Sequence, residues 1–385
     1  MMHASFSSPA PASLAHGIAD NARRLARTLQ HAGFSAYVTG GAVRDMLLSI
    51  PAHDVDLATS ATTADIIALF PGAVEAGGRF RIVLVPIDGQ RIEIATLRPA
   101  SADSASRQHC PHIAGSPAED AAQRDFTINA LYYDPGQERL TDFHGGMADL
   151  QDKVLRTIGN PDERFRDDPM IMLRAIRFAH RLGFSIASEA VASIDRHAAL
   201  IAKVSPERLF AEVARQLTSG QAAGCMRDLC RHRLHAALLP ELRKDLLDSQ
   251  SSFTGLALQS VDDSLARGTR MSASFVFAAL LWPQLKRAWD ALQKNGWGVM
   301  PALERAAHDV CSAQSACLGI RERVAGDIHA IWSTQAYFAI GPHRAGADLD
   351  QHPRFRAGYN LFQLRCAAQE VDPELANAWS AQRRR

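Results

Sequence analysis

Two aspartates one residue apart, Asp54 and Asp56 in HDVDLAT, are residues whose type and spacing could do chemistry. Along an extended strand side chains alternate with a period of two, so both carboxylates leave the same face. Neighbouring carboxylates repel, and a shared cation relieves them. Magnesium suits such hard oxygens and usually keeps substrate phosphates among its ligands. Just upstream, Gly40-Gly41 in YVTGGAVRD ends an apolar run and opens a short helical pattern. Glycine lets the backbone approach a ligand, and a helix start offers N–H groups and partial positive charge to phosphates. Arg44 and Asp45 follow one turn in. Glu93 in RIEIAT would complete a set of three carboxylates if its strand neighbours that of the aspartates, and two metals could then clamp an attacking hydroxyl and a leaving pyrophosphate. Each feature has a plainer reading: solvated acids on a strand edge, a tight turn with a surface ion pair, one polar residue of an alternating strand. In this order they point to the handling of a nucleoside triphosphate.

The elements that must position these groups are legible around them. Leu14, Ile18, Ala22, Leu25 and Leu29 recur at helical spacing, which predicts a helix ending near His31, with Gly33 as its stop. Phe34 to Thr39 reads as a buried strand, Val43 to Leu48 as a short helix, Asp54 to Ala58 as a half-buried strand and Thr63 to Phe70 as a helix. RFRIVLVPIDGQRIEIATLR is a hairpin about Asp88-Gly89. PASADSASRQHCPHIAGSPAED has no period and is expected to be a mobile loop. FTINALYYD and RLTDFHGG return to strand and turn character. After Gly159 amphipathic helices dominate, with a loop expected at SQSSFTG near residue 252. The pattern is α+β in a first part and all-helical afterwards. The expected division is a disordered tail over 1–17, a head over 18–150, a helical neck region over 151–250 and a helical body and tail over 251–385.

Composition removes some function classes. A chain of 385 residues holds two or three domains at the usual ~100–200 residues each. No apolar run is long enough to cross a bilayer, so no membrane partner is expected. The stretch MMHASFSSPAPASLAHG lacks a basic region followed by an apolar core and reads as a Ser/Ala/Pro tail, not a signal peptide. Six irregularly spaced cysteines fit reduced thiols in a cytosolic protein. A net charge of +1 does not advertise nucleic-acid binding, although a local basic face can hide inside such a sum. The crowding of Cys225, Cys230, His232 and His235, and of His109, Cys110 and His112, fits no paired zinc-knuckle spacing.

GGAVRD, the DVD pair, IEIATLR, QRDFTINALYYD, TDFHGGMADLQDKVLRTIGNP and DDPMIMLRAIRFAHRLGF occur in the order seen in the class II tRNA nucleotidyltransferase/poly(A) polymerase family, which this chain resembles. The resemblance is dense from about Ala36 to Phe184 and looser beyond. It implies a polymerase-β-like nucleotidyltransferase head followed by an all-helical neck, body and tail. It implies that Gly40, Gly41 and Arg44, with Asp45 beside them, hold the triphosphate, that Asp54 and Asp56 bind Mg²⁺, and that Glu93 sits next to them. Arg124 and Asp125 would contact the sugar and orient the nucleotide. Asp142, Gly145 and Gly146 would form the turn that couples head to neck. Asp168, Arg174 and Arg177 would lie on the neck helix at a base-reading pocket, braced by Glu207, Arg208 and Glu212. The implied reaction is template-independent: the 3′-hydroxyl of an RNA end attacks the α-phosphate of ATP.

Two positions depart from the family pattern. Ile171 stands where the neck arginine is usual, and an aliphatic chain cannot imitate a bidentate donor. Gln123 replaces the first arginine of the motif at QRDFT. These changes keep open an RNA-binding protein with little activity. The stretches GGRFRIVLV, IRERVAGDIHAIWSTQ and HPRFRAGYNLFQLRCAAQE resemble bacterial poly(A) polymerases, which favours adenylate addition in mRNA processing over CCA addition to tRNA. The helical body, rich in arginine, is expected to hold RNA through phosphate contacts.

Overall fold

Thr39 and Asp56 face each other across two paired strands, and that register organises the whole first part of the chain. The structure, a computed structural model, describes residues 6–11, 14, 20–52, 54–76, 82–100, 114–242, 252–342, 349 and 351–382. The chain divides into two compact units, residues 1–164 with 184–191, and residues 165–183 with 192–385.

In chain order the first unit contains β1 (Phe6–Pro9), α1 (Asp20–His31), β2 (Ala36–Thr39), α2 (Gly41–Leu47), β3 (Asp56–Thr59), α3 (Thr63–Leu69), β4 (Val74–Ala76), β5 (Ile82–Ile87), β6 (Gln90–Thr96), α4 (Pro117–Ala122), a 3₁₀ turn at Thr127–Asn129, β7 (Leu131–Asp134), β8 (Arg139–Asp142), α5 (Gly146–Asp152) and β9 (Val154–Leu155). Eight strands form one sheet in the order β1-β8-β7-β2-β3-β6-β5-β4, with β3 and β6 parallel and the other neighbours antiparallel. Val38, Leu57 and Ile94 lie side by side across β2, β3 and β6 and are buried. A slip of one residue would bring Asp56 into that buried row, so the apolar set fixes the register. Helix α1 buries Ala22, Leu25, Ala26 and Leu29 and packs on β2 and β3. Asp88 (φ 49°) and Gly89 (φ 76°) make the two-residue turn of the β5–β6 hairpin, the backbone that matches strand twist.

Several boundaries differ from the sequence reading. Strand β3 begins at Asp56, leaving Asp54 ahead of it. The ladder partner β2 ends at Thr39, opposite Asp56, where Gly40 (φ 74°) turns the chain into α2. The segment expected as a mobile loop ends inside α4, and residues 101–113 of it lie outside the described residues. Ser116 and Glu119 cap α4 reciprocally, with Ser116 N–H to the Glu119 carboxylate at 2.6 Å and Glu119 N–H to Ser116 Oγ at 3.3 Å. The stretch expected to be a disordered tail supplies β1, which pairs Phe6–Pro9 with Asp142–Arg139. Backbone groups on the open edge of β8 ask for no apolar pattern from the strand that covers them.

The second unit is helical: besides parts of α6 (Pro161–Asp167) and α8 (Ser188–His197), which straddle the division, it holds α7 (Met170–Leu182), α9 (Pro206–Leu217), α10 (Ala222–Arg231), α11 (His235–Leu238), α12 (Phe253–Ala266), α13 (Ala273–Leu280), α14 (Trp282–Lys294), α15 (Val299–Leu318), α16 (Glu322–Ile340), α17 (Phe355–Ala367) and α18 (Pro373–Gln382). The short strand β10 (Ser185–Ile186) pairs with β9 in the first unit. Helix α12 starts where a loop was expected, because Ser252 Oγ accepts the Gly255 N–H at 3.1 Å. Trp282, Trp289, Trp332 and Trp379 are buried, while Trp297 is exposed. Phe338, Tyr359, Phe362 and Trp379 form one aromatic cluster between α16, α17 and α18. No helix among the described residues is long and apolar enough to cross a membrane.

Candidate active site

The end of β2, the start of β3 and the middle of β6 bring Gly40, Asp56 and Glu93 together. The pairing of Thr39 with Asp56 sets Gly40 next to the start of β3. The pairing of Leu57 with Ile94 sets Glu93 alongside Asp56 on β6. Asp54, Asp56 and Glu93 are all exposed. Crowding by the protein and the charge of Glu93 push the Asp56 carboxyl up to about 6, Arg124 pulls it down, and Asp54 adds to the rise. Like charges gather here, around a carboxyl partly withdrawn from water, without enough positive charge to balance them.

Arg124 approaches this edge from a buried support. Its Nη1 lies 3.3 Å from where a side chain on Gly40 would begin, so the glycine is required both for its φ and for this close approach. Its Nε donates to Tyr132 Oη at 2.8 Å and to Asp120 Oδ2 at 3.1 Å, Nη2 donates to Asp120 Oδ2 at 3.0 Å, and Nη1 donates to the Asn129 carbonyl at 3.2 Å. The Tyr132 hydroxyl donates in turn to Asp120 Oδ2. Arg98 donates through Nε and its backbone N–H to Asp120 Oδ1. Burial alone would raise the Asp120 carboxyl, but Arg124, Arg98 and the hydrogen bonds from Arg98 and Tyr132 bring it down to about 2. Asp120, Tyr132, Asn129 and Arg98 were not singled out from the sequence. The one available signal was the helical spacing of Asp120 and Arg124, four residues apart.

Arg44 is buried, with Nε and Nη2 donating to Asp45 Oδ1 and Nη1 donating to Asn129 Oδ1 at 2.6 Å. Its Nη2 also lies against Gly41, 3.3 Å from the position a Cβ would take. Asn129 Nδ2 donates to Asp125 Oδ1 at 3.1 Å, and the Phe126 N–H donates to the same oxygen at 2.8 Å. Arg44, Asp45, Asn129 and Asp125 therefore form one buried chain that ties α2 to the QRDFT segment. Gln123, in place of the usual arginine, donates to the Pro99 carbonyl at 2.9 Å. Asp142 caps α5, accepting the N–H groups of Gly146 at 3.0 Å and Met147 at 2.9 Å. Gly145 has φ 75°, and a side chain on Gly146 would collide with the Thr127 carbonyl at 2.3 Å.

The remaining sequence-predicted residues lie in the second unit. Asp168 precedes α7 and accepts from Arg208 Nη2 at 3.1 and 3.3 Å. Both line a cleft of about 500 Å³ with Arg166, Asp167, Lys203 and Ser205. Ile171 is buried in α7 and presents nothing to that cleft. Arg177 Nε donates to Glu212 at 2.6 Å, and its guanidinium lies 4.3 Å from the Phe178 ring centre. Gln216 Nε2 donates to the Leu173 carbonyl at 2.8 Å, a second tie from α9 to α7. Arg174 lies 6.0 Å from the same Phe178 ring, and Glu207 is exposed at the start of α9.

A divalent cation fits the acid edge by donor chemistry. Asp54 and Asp56 are hard oxygen donors, and the repulsion that adds to the rise burial causes at Asp56 is what a cation removes. Among the described residues no three His, Cys, Asp or Glu side chains converge as a ready-made metal cage. A site completed by substrate phosphates needs no such cage. Cys225 and Cys230 are buried thiols, and His232 Nδ1 is 2.8 Å from Asp195. His109, Cys110 and His112 lie outside the described residues.

Residues 36–156 match the family described as the poly A polymerase head domain, 183–246 match the probable RNA and SrmB-binding site of polymerase A, and 295–384 match the polymerase A arginine-rich C-terminus. Poly(A) polymerase I of Salmonella typhi is 34% identical over 364 residues, which cover 90% of this chain and 78% of that protein. A CCA-adding enzyme of Pediococcus pentosaceus is 35% identical over 217 residues, 56% of this chain and 54% of that enzyme. The solved structure of the Bacillus stearothermophilus CCA-adding enzyme in complex with CTP aligns with a TM-score of 0.63 at 25% identity, covering 94% of this chain and 82% of that one.

Proposed function

The chain belongs to the family of bacterial poly(A) polymerases and CCA-adding enzymes, RNA nucleotidyltransferases with a polymerase-β-like head, and from that premise we propose that it adds AMP from ATP to RNA 3′ ends without a template. The observation that carries this reading is the convergence of Gly40, Asp56 and Glu93 where β2 ends, β3 begins and β6 runs alongside. The choice of adenylate is supported by likeness to poly(A) polymerase I along 90% of the chain, against 56% for the CCA-adding relative.

In this reading the Gly40 turn and the first turn of α2 receive the phosphates. Arg124 brings positive charge to the same place. Arg44 and Asp125 act from within, holding α2 and the QRDFT segment in fixed relation. Asp54 and Asp56 would hold Mg²⁺, which when bound supplies positive charge against the triphosphate and the departing pyrophosphate. The RNA 3′-oxygen bonds to the α-phosphorus as the bond to the pyrophosphate oxygen breaks. Little covalent help is asked of the protein, so position and charge carry the catalysis. Base selection falls to the start of α7, where Asp168 offers an acceptor and Arg174 and Arg177 follow on the same helix, while buried Ile171 offers no donor. The work belongs to mRNA processing in the cytoplasm.

CCA addition is the second reading, favoured by the 25% identity to the enzyme solved with CTP. The deciding experiment incubates the protein with Mg²⁺, each nucleoside triphosphate separately, and either a generic RNA or a tRNA lacking its CCA end. Long tails from ATP alone are expected. A three-nucleotide addition that needs CTP would establish the second reading, and no incorporation with RNA still retained on a filter would leave an RNA-binding protein only.

A further inference from the structure

We infer that Tyr132 and Asp120 are positioning residues that aim Arg124 at the bound nucleotide; this rests on the nucleotide-transfer reading above. An arginine side chain loses about 2 kcal/mol of rotamer entropy when it is fixed. A site that fixes it before the substrate arrives does not charge that loss to binding or to the transition state. The fixing here is complete on one side. Asp120 and the Tyr132 hydroxyl take Nε and Nη2, and the Asn129 carbonyl takes one N–H of Nη1. A guanidinium has five N–H groups, so two remain without a protein partner among the described residues. The Nη1 end is the one that lies against Gly40.

Tyr132 does two things at once. Its hydroxyl accepts from Arg124 and donates to Asp120, so it orders both partners. Its ring lies under the guanidinium, 5.1 Å from ring centre to carbon. That ring is fully buried and gripped edge-on by Tyr37 at 6.0 Å and Phe143 at 5.7 Å. Asp120 is anchored from the far side by Arg98, so its carboxylate cannot follow Arg124 if the latter swings away. The support is a rigid wall of the head, and the arginine is the single member that reaches the acid edge.

The test is a double-mutant cycle. Tyr132→Phe removes the hydroxyl and keeps the ring. KM and kcat for ATP are measured with an RNA oligonucleotide and Mg²⁺ in the wild type, Y132F, R124A and the double variant. ATP affinity is measured in the same four proteins without RNA. Losing one buried hydrogen bond to Arg124 is expected to lower kcat/KM for ATP about tenfold in Y132F, with KM for RNA unchanged. In the R124A background the same change should cost nothing further. Asp120→Asn, read in the same cycle, replaces Y132F should that variant melt too low to assay. A loss that is equal with and without Arg124, or a lower melting temperature with kcat/KM intact, would overturn the inference and leave a purely structural cluster. A wild type that binds ATP but adds no nucleotide refutes the transfer reading alone, and the cycle is then decided on ATP affinity. A wild type that binds no ATP overturns both.

Discussion

Asp56 and Asp120 are carboxylates of the same unit, both influenced by Arg124, and they are driven in opposite directions. Asp120 receives Arg124, Arg98 and the Tyr132 hydroxyl, and its carboxyl sits at about 2. Asp56, partly withdrawn from water and set beside Glu93 and Asp54 with Arg124 as the opposing charge, is pushed up to about 6. The buried network has settled its own charge. The strand edge has not, and an uncompensated cluster beside a glycine turn is where an outside cation or substrate gains most. The one arginine shared by both regions is the link between them.

The contrast breaks most sharply if the exposed acids prove dispensable. Replacing Asp54 and Asp56 together by alanine should lower nucleotide incorporation by a factor on the order of 10³ or more, because the groups that would hold the cation are gone. Melting should stay level or rise, since repulsion at the edge is relieved. Surviving activity would remove the metal assignment. Asp120→Ala should strike the fold as well: a loss of about 3–5 kcal/mol in urea unfolding, because Arg124 and Tyr132 are left buried around a missing partner.

The pH dependence of folding sharpens the same contrast, measured as urea midpoints from pH 2 to 7 with chelator present. Asp120 is depressed from its ordinary 3.8, so its contribution is present above about pH 4 and is lost as pH falls through about 2. Its size is about 2 kcal/mol. Asp56 is raised, so its contribution is present below about pH 4 and is lost as pH rises through about 6. D120N should flatten the acid limb and D56N the limb between pH 4 and 6. Added Mg²⁺ should flatten the second limb alone. A smaller effect is expected from Gly40→Ala, about 1–3 kcal/mol for a side chain at φ 74° and ψ −139°. Its KM for ATP should rise as well, because the new methyl meets Arg124 Nη1.

The two regions also differ in how far they could be read in advance. Asp54, Asp56, Glu93 and Gly40 stand in strands and turns whose local pattern is strong, so their types and spacing already spoke. Their convergence could not be read, because it depends on β3 lying parallel to β6 across a gap in sequence. The buried network was missed for a physical reason. Asp120 follows a polar, aperiodic run, and periodicity cannot see a helix of six residues held by a capping box. Arg44 illustrates the converse. Its position beside the glycines suggested a hand on the phosphates, yet its guanidinium is buried against Asp45 and Asn129, a pairing set by residues 85 positions apart. The N-terminal strand β1 was invisible because edge pairing draws on backbone groups and leaves no side-chain signature.

The smallest expected effect concerns the Asp168–Arg208 pair of the second unit, which sits between the two extremes. Its partners are joined at 3.1 Å, as tightly as Asp120 and Arg124, but their side chains keep 27% and 45% of their exposure. Water screens such a pair, so Arg208→Ala should cost about 0–1 kcal/mol in stability. Glu212, buried and bonded to Arg177, ties α9 to α7 independently, so the cleft should keep its walls. What Arg208→Ala does change is the charge beside Asp168 in a cleft to which buried Ile171 presents no donor. A change in the ratio of ATP to CTP incorporation, with the melting temperature level, would show that this exposed pair belongs with the acid edge as a working surface. An unchanged ratio with a drop in stability would place it with the Asp120 network as internal bracing.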